Sequence, residues 1–198
     1  LYLVMGWLLA AFGQYQDALG ALQQGVKHTS AKVSDLAQQA LIPLQIQIIS
    51  AYLEKGEFPH ARKKLAVLES KIDQRRQPGW FVRWLELSGK LNFMQGHLGA
   101  ALRQFWQVVE ICQKGNFQQA RIEAMLNFAH ILILLNQTHV AEQLLRSARD
   151  QAHALKLAVL KIRATFLLHV AYARAHSLAN DVSIAPTVTE MRKPGRKK

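Results

Sequence analysis

The chain has 198 residues, half of them hydrophobic, 19% charged and 8% aromatic; 25 Lys and Arg against 13 Asp and Glu give a formal charge of +12. That apolar share excludes wholesale disorder, and the length allows one domain or one short repeat array with a sizeable core. The single cysteine, Cys112, excludes an intramolecular disulfide framework and a cysteine-based zinc site.

The hydrophobic rhythm predicts helices over about 2–12, 15–28, 34–54, 58–74, 80–95, 98–113, 117–135, 138–153 and 156–176. Ile42, Ile46, Ile49 and Leu53 fall on one stripe, as do Leu65, Leu68 and Ile72. Leu98, Ala101, Leu102, Phe105, Val108, Val109 and Cys112 keep the i, i+3, i+4, i+7 spacing, and Val140, Leu144, Leu145 and Ala148 repeat it. Breaks fall at His28-Thr29-Ser30, Gln77-Pro78-Gly79, Lys114-Gly115-Asn116 and around His153. Residues 177–198 lack helical period, hold Pro186, Pro194 and Gly195, and end in a basic cluster, so a disordered basic tail is expected there. The opening Leu1-Tyr2-Leu3-Val4-Met5 has no initiator methionine and reads as part of a longer protein. The stretch 1–12 lacks the basic start of a signal peptide. No uncharged apolar run is long enough to span a bilayer, so a reducing cytoplasmic location is the default expectation.

The helices recur as pairs. Gly13, Gly56, Gly96 and Asn136 are spaced by 43, 40 and 40 residues, and five residues after each comes Ala18, Ala61, Ala101 or Ala141. Four residues past each Ala stands Leu22, Leu65, Phe105 or Leu145; four before each anchor stands Leu9, Tyr52, Asn92 or Leu132. Gly, and Asn in its place, permits the left-handed turn that ends one helix. Ala lets the next helix approach closely. Such hairpins cannot bury their faces alone, and stacking them yields a solenoid.

This pattern resembles the tetratricopeptide repeat (TPR). Gly6, Leu9, Gly13, Tyr15, Ala18, Leu22 and Gly25 carry it in the first unit; Tyr52, Gly56, Phe58, Ala61 and Leu65 in the second. Gly89, Gly96, Leu98, Ala101 and Phe105 follow in the third, and Ala129, Asn136, Ala141, Leu145 and Ala148 in the fourth. Tyr172 and its helix look like half of a fifth, with His176 at the turn position. The period exceeds the family's usual one and resembles the variant arrays of MalT-type regulators and kinesin light chains. The resemblance implies an all-α, right-handed solenoid over 1–176, without catalytic chemistry or cofactor, acting as a protein-interaction scaffold within a larger regulatory protein. Its partner would be a protein or peptide held in a concave groove lined by the first helix of each pair.

That groove is expected to display Leu3 and Trp7, then Ile46 and Ser50, then Arg83, Glu86, Lys90 and Phe93. It continues with Leu126, His130 and Ile133, then Arg163, Phe166, Val170 and Arg174. Apolar and aromatic groups with scattered cations suit an acidic or apolar peptide. The family's chaperone-tail clamp does not fit, because Leu3 and Trp7 occupy its first places. Arg62, Lys63, Lys64, Arg75 and Arg76 form a basic cluster expected on the outer side, which keeps nucleic acid as a less favoured partner. A ligand-sensing regulator segment is the other alternative. Trp80 and Trp84 are expected to brace neighbouring units, and Cys112 to be a core thiol. The eight histidines show no three- or four-residue spacing, and no nucleotide, zinc or nucleophile motif occurs, so neither a metal site nor an enzyme is expected. Apolar faces at both ends are expected to drive self-association or to continue the array.

Overall fold

A computed structural model describes the backbone of residues 1–30 and 35–184 and the side chains of 1–30 and 41–177. Nine helices follow in order among the described residues: α1 (Tyr2–Ala11), α2 (Tyr15–Ser30), α3 (Asp35–Glu54), α4 (Phe58–Glu69), α5 (Pro78–Met94), α6 (Leu98–Gly115), α7 (Gln118–Leu134), α8 (Thr138–Ala154) and α9 (Ala158–Ile184). No strand occurs among these residues. Each helix packs on its neighbour in sequence, and the molecule is a solenoid of antiparallel hairpins.

The four anchor residues occupy equivalent bends. Gly13, Gly56, Gly96 and Asn136 have φ of 75°, 78°, 77° and 60°. The N–H of the residue after each donates to the carbonyl of Leu9, Tyr52, Asn92 or Leu132 at 2.8–2.9 Å, which closes a Schellman turn. The same device joins successive hairpins. Asn116 has φ 58° and Lys156 φ 56°, with Phe117 N–H donating to Cys112 O and Leu157 N–H to Ala152 O. Left-handed residues therefore recur every 20 positions at 96, 116, 136 and 156.

Ala18, Ala61, Ala101 and Ala141 are fully buried, and so nearly are Leu22, Leu65, Phe105 and Leu145 nine residues past each bend. Gly89 makes room for Phe105: a Cβ there would lie 2.9 Å from the ring. Gly6 makes room for Leu22 in the same way.

Two boundaries differ from expectation. Helix α4 stops at Glu69 rather than near 74, because the Asp73 carboxylate accepts the backbone N–H groups of Arg75 (2.8 Å) and Arg76 (3.3 Å) and folds the chain into a turn. Helix α9 continues through His176, where a further bend would fall, to Ile184. The expected tail from 177 therefore begins as helix; residues 185–198 lie outside the described residues.

First helices of successive pairs touch one another, α1 with α3, α3 with α5, α5 with α7 and α7 with α9, whereas the second helices α2, α4, α6 and α8 do not. The α1–α3–α5–α7–α9 side is thus the narrow, inner side.

Candidate functional site: the inner face of α5, α7 and α9

The inner face is built by residues that recur at 40-residue offsets. Arg83, Glu123 and Arg163 take one position on α5, α7 and α9, and Lys90, His130 and Val170 another. Arg83 Nη1 lies 2.7 Å from Glu86 Oε2 and 3.8 Å from Glu123 Oε2, linking α5 to α7. Arg163 Nη2 donates to Asn127 Oδ1 at 2.6 Å, linking α9 to α7. Arg174 Nε donates to Asn136 Oδ1 at 3.0 Å, so α9 also holds the bend between α7 and α8. The rings of Phe93 and His130 meet with centroids 5.3 Å apart. Arg83 and Glu123 flank an open depression of about 340 Å³ floored by Phe117 and Ala120.

Burial tunes the charges. Glu86 is 4% exposed, and its carboxyl is pushed up to about 6 by desolvation, against the pull of Arg83 and with help from Glu123. Its Oε1 has no hydrogen-bond partner. Burial, together with the positive charge of Arg163, lowers the pKa of His130 and favours the neutral ring. Burial also lowers Arg163, and Glu123 opposes that shift. The Cys112 thiol, buried beneath α5, is pushed up to about 11 by desolvation and then by Glu86, so it is an inert core thiol.

The expected groove residues separate into three groups. Arg83, Lys90, Phe93, His130, Arg163 and Arg174 are exposed or half-buried and lie on the helices of the inner side. Glu86, Ile46, Leu126 and Ile133 are buried between helices, and Glu86 meets the groove only through Arg83. Trp7 is exposed on α1, and Phe166 is exposed on α9 beside Lys161, Ile162, Thr165 and His169. Glu123 and Asn127 belong to the site although the sequence did not single them out; the signal was their 40-residue offset from Arg83 and Leu87.

Arg62, Lys63 and Lys64 are exposed on α4, on the outer side, where Arg62 bonds Gln95 of the next hairpin. Arg75 and Arg76 sit in the α4–α5 connection, not at a helix end, and Arg76 borders an open depression of about 820 Å³ lined by Gln77, Gly79, Trp80 and Phe117. Trp84 braces two units as expected: its Nε1–H donates to Leu65 O at 3.0 Å. Trp106 instead is exposed, donating to Glu110 and resting on Phe128. Among the described residues no helix is long and apolar enough to cross a membrane.

No protein-family model matches the sequence, and no curated protein matches it. Solved structures do. A kinesin light chain-like protein of Podosopora anserina, with nearly identical TPR-like repeats, is similar at 17% identity and TM-score 0.65 over 96% of each chain. A variant of that protein is similar at the same identity and TM-score over 92% of this chain and 91% of the other. By its fold, the chain is a TPR-like repeat protein.

Proposed function

We propose that the chain is a non-catalytic interaction module that holds an acidic peptide segment along the inner face of α5, α7 and α9. The observation that carries this reading is the charge of that face. Among the residues whose side chains are described, Arg83, Lys90, Arg163 and Arg174 stand against one partly exposed carboxylate, Glu123, because Glu86 is buried and engaged by Arg83. Phe93 and His130, their rings tilted at 54° to one another, add a partly apolar aromatic pair beside the cations. A peptide carboxylate gains charge-assisted bonds there, and its apolar side chains gain burial.

Anisotropy titration of labelled peptides tests it. An acidic peptide should bind more tightly than its Lys-substituted counterpart, and Lys90→Glu combined with Arg174→Glu should weaken it by about tenfold or more. Lys63→Glu with Lys64→Glu, on the outer side, should leave it unchanged. Equal binding of both peptides would overturn the reading. Salt-steep binding of duplex DNA that is lost in the Lys63/Lys64 variant would move the function to the outer surface.

A further inference from the structure

Ile46, Glu86 and Leu126 take one position in three successive first helices, 40 residues apart, and all three side chains are buried. Ile46 and Leu126 show that packing there asks only for an aliphatic group, so the carboxylate of Glu86 is not a packing requirement. It is costly where it stands. Glu86 is 4% exposed, its Oε1 has no hydrogen-bond partner, and its Oε2 has Arg83 Nη1 at 2.7 Å. The same guanidinium is the cation of the inner face at this level. Its side chain is 45% exposed, lies 3.8 Å from Glu123 Oε2, and borders the depression of about 340 Å³. Arg83 is thus shared between a buried carboxylate behind it and any acidic group that arrives in front of it.

Resting on the reading of the inner face as an acidic-peptide groove, we propose that Glu86 is a proton-operated gate on that groove: the charged carboxylate holds Arg83 back, and a proton taken up from water releases the guanidinium to a peptide carboxylate. The charged groups that face Glu86 are Arg83 and Lys90 of its own helix and Glu123 of α7. From α6 it faces the Cys112 thiol, which burial keeps protonated and on which Arg121 of α7 also acts. Helices α3 and α4 meet α5 through apolar residues around Trp84, Leu87 and Leu91. With Glu86 ionised, Arg83 and Lys90 are matched one for one by Glu86 and Glu123. With Glu86 protonated, the same four groups carry one net positive charge. A further carboxylate brought by a peptide is therefore resisted in the first state and attracted in the second.

Burial already places the Glu86 carboxyl at about 6, so neutral solution lies just above the transition. A peptide carboxylate at Arg83 draws the guanidinium away from Glu86 and adds negative charge nearby, and both effects favour the protonated form. The complex then keeps a proton that the free chain has released. Affinity for the acidic peptide rises as pH falls from 7.5 through about 6 and levels off below that. His130 of α7, which faces Phe93 of α5 and Arg163 of α9, gains positive charge in the same direction, so the two contributions have to be separated.

Anisotropy titrations of an Asp-containing peptide against the full chain at pH 5.5, 6.5 and 7.5, at constant ionic strength, test the gate; Asp side chains stay ionised over that range. The wild type should bind about fivefold or more tightly at pH 5.5 than at 7.5, the effect of roughly one pH unit of displacement in the Glu86 carboxyl on binding. Glu86→Gln, neutral at every pH, should bind at pH 7.5 about as tightly as the wild type does at 5.5 and show little of the slope. His130→Gln should keep the slope, with circular dichroism confirming that both variants stay folded. Calorimetry at pH 6.5 in two buffers of different ionisation heat should register proton uptake on binding by the wild type and His130→Gln, and much less by Glu86→Gln. An unchanged slope in Glu86→Gln, a slope that His130→Gln abolishes, or a wild-type affinity that does not vary with pH would overturn the gate while leaving the groove in place. Equal binding of the Asp peptide and its Lys-substituted counterpart at both pH 5.5 and 7.5 would remove the groove itself, and the gate with it.

Discussion

Glu86 stands where the following unit places Leu126, and the comparison isolates what a buried carboxylate does in this wall. Desolvation raises its pKa to about 6, above the usual carboxylate value near 4.5. The folded state therefore binds a proton that the unfolded chain has released, throughout the window between those values. Stability rises as pH falls from 7 through about 6, and the contribution levels off below about 4.5. The displacement corresponds to about 2 kcal/mol of penalty at neutral pH. Glu86→Gln should flatten the slope of unfolding free energy against pH between 4.5 and 7, as read from urea melts at several pH values. An unchanged slope in Glu86→Gln would contradict the assignment; the wild-type slope alone would not decide it, because His130, whose pKa burial lowers, contributes in the opposite sense below 6.5. Arg83 keeps the penalty from growing, because its guanidinium holds one oxygen at 2.7 Å while Oε1 is left unpaired.

At the scale of the element, the turn decides more than the helix. Each Schellman bend needs one residue at positive φ, and among the described residues the need is met by Gly three times, Asn twice and Lys once. A Cβ on Gly96 would touch nothing, so Gly96→Ala isolates the backbone cost and should lower stability by about 1 kcal/mol. Lys156→Gly should act in the opposite sense, raising stability by about 0.5–1 kcal/mol, since glycine carries no steric penalty there. Thermal melts of the two variants should move in opposite directions. The contrast also explains what the sequence could reveal. Bends at Gly13, Gly56, Gly96 and Asn136 were legible because those residue types favour the conformation; Lys156 gave no such signal, although a break near His153 was visible. Helix α4 was read too long because Ile72 continues the apolar stripe of Leu65 and Leu68, while the competing Asp73 turn depends on side-chain to backbone bonds that periodicity does not register. On the inner face, Arg83, Lys90, His130, Arg163 and Arg174 were legible from helical spacing. Phe166 lies beside Ile162, Thr165 and His169 rather than beside Arg163, because a residue three past Arg163 has already turned to another side of α9.

The molecule as a whole is a sum of neighbour contacts. A first apolar cluster spans α2 to α5, and a second, with Leu102 and Val109 of α6 packed against it, spans α7 to α9. Stability in such an array is greatest where a helix has neighbours on both sides. Amides of α6, α7 and α8 should exchange with deuterium most slowly. Those of α1, where Leu1, Val4, Trp7 and Phe12 are exposed, and of the 70–77 connection should exchange fastest. Uniform protection along the chain would instead indicate one cooperative unit.

Successive hairpins meet twice, each second helix on the next first helix and, more narrowly, each first helix on the next, so the second helices never meet one another. Bending the coil would therefore change the spacing of α2, α4, α6 and α8 most, while the links Arg83–Glu123, Arg163–Asn127 and Arg174–Asn136 stay close to the axis of bending. The polar rungs of the inner face are therefore also its hinge pins, and whatever settles among them sets the pitch of the coil.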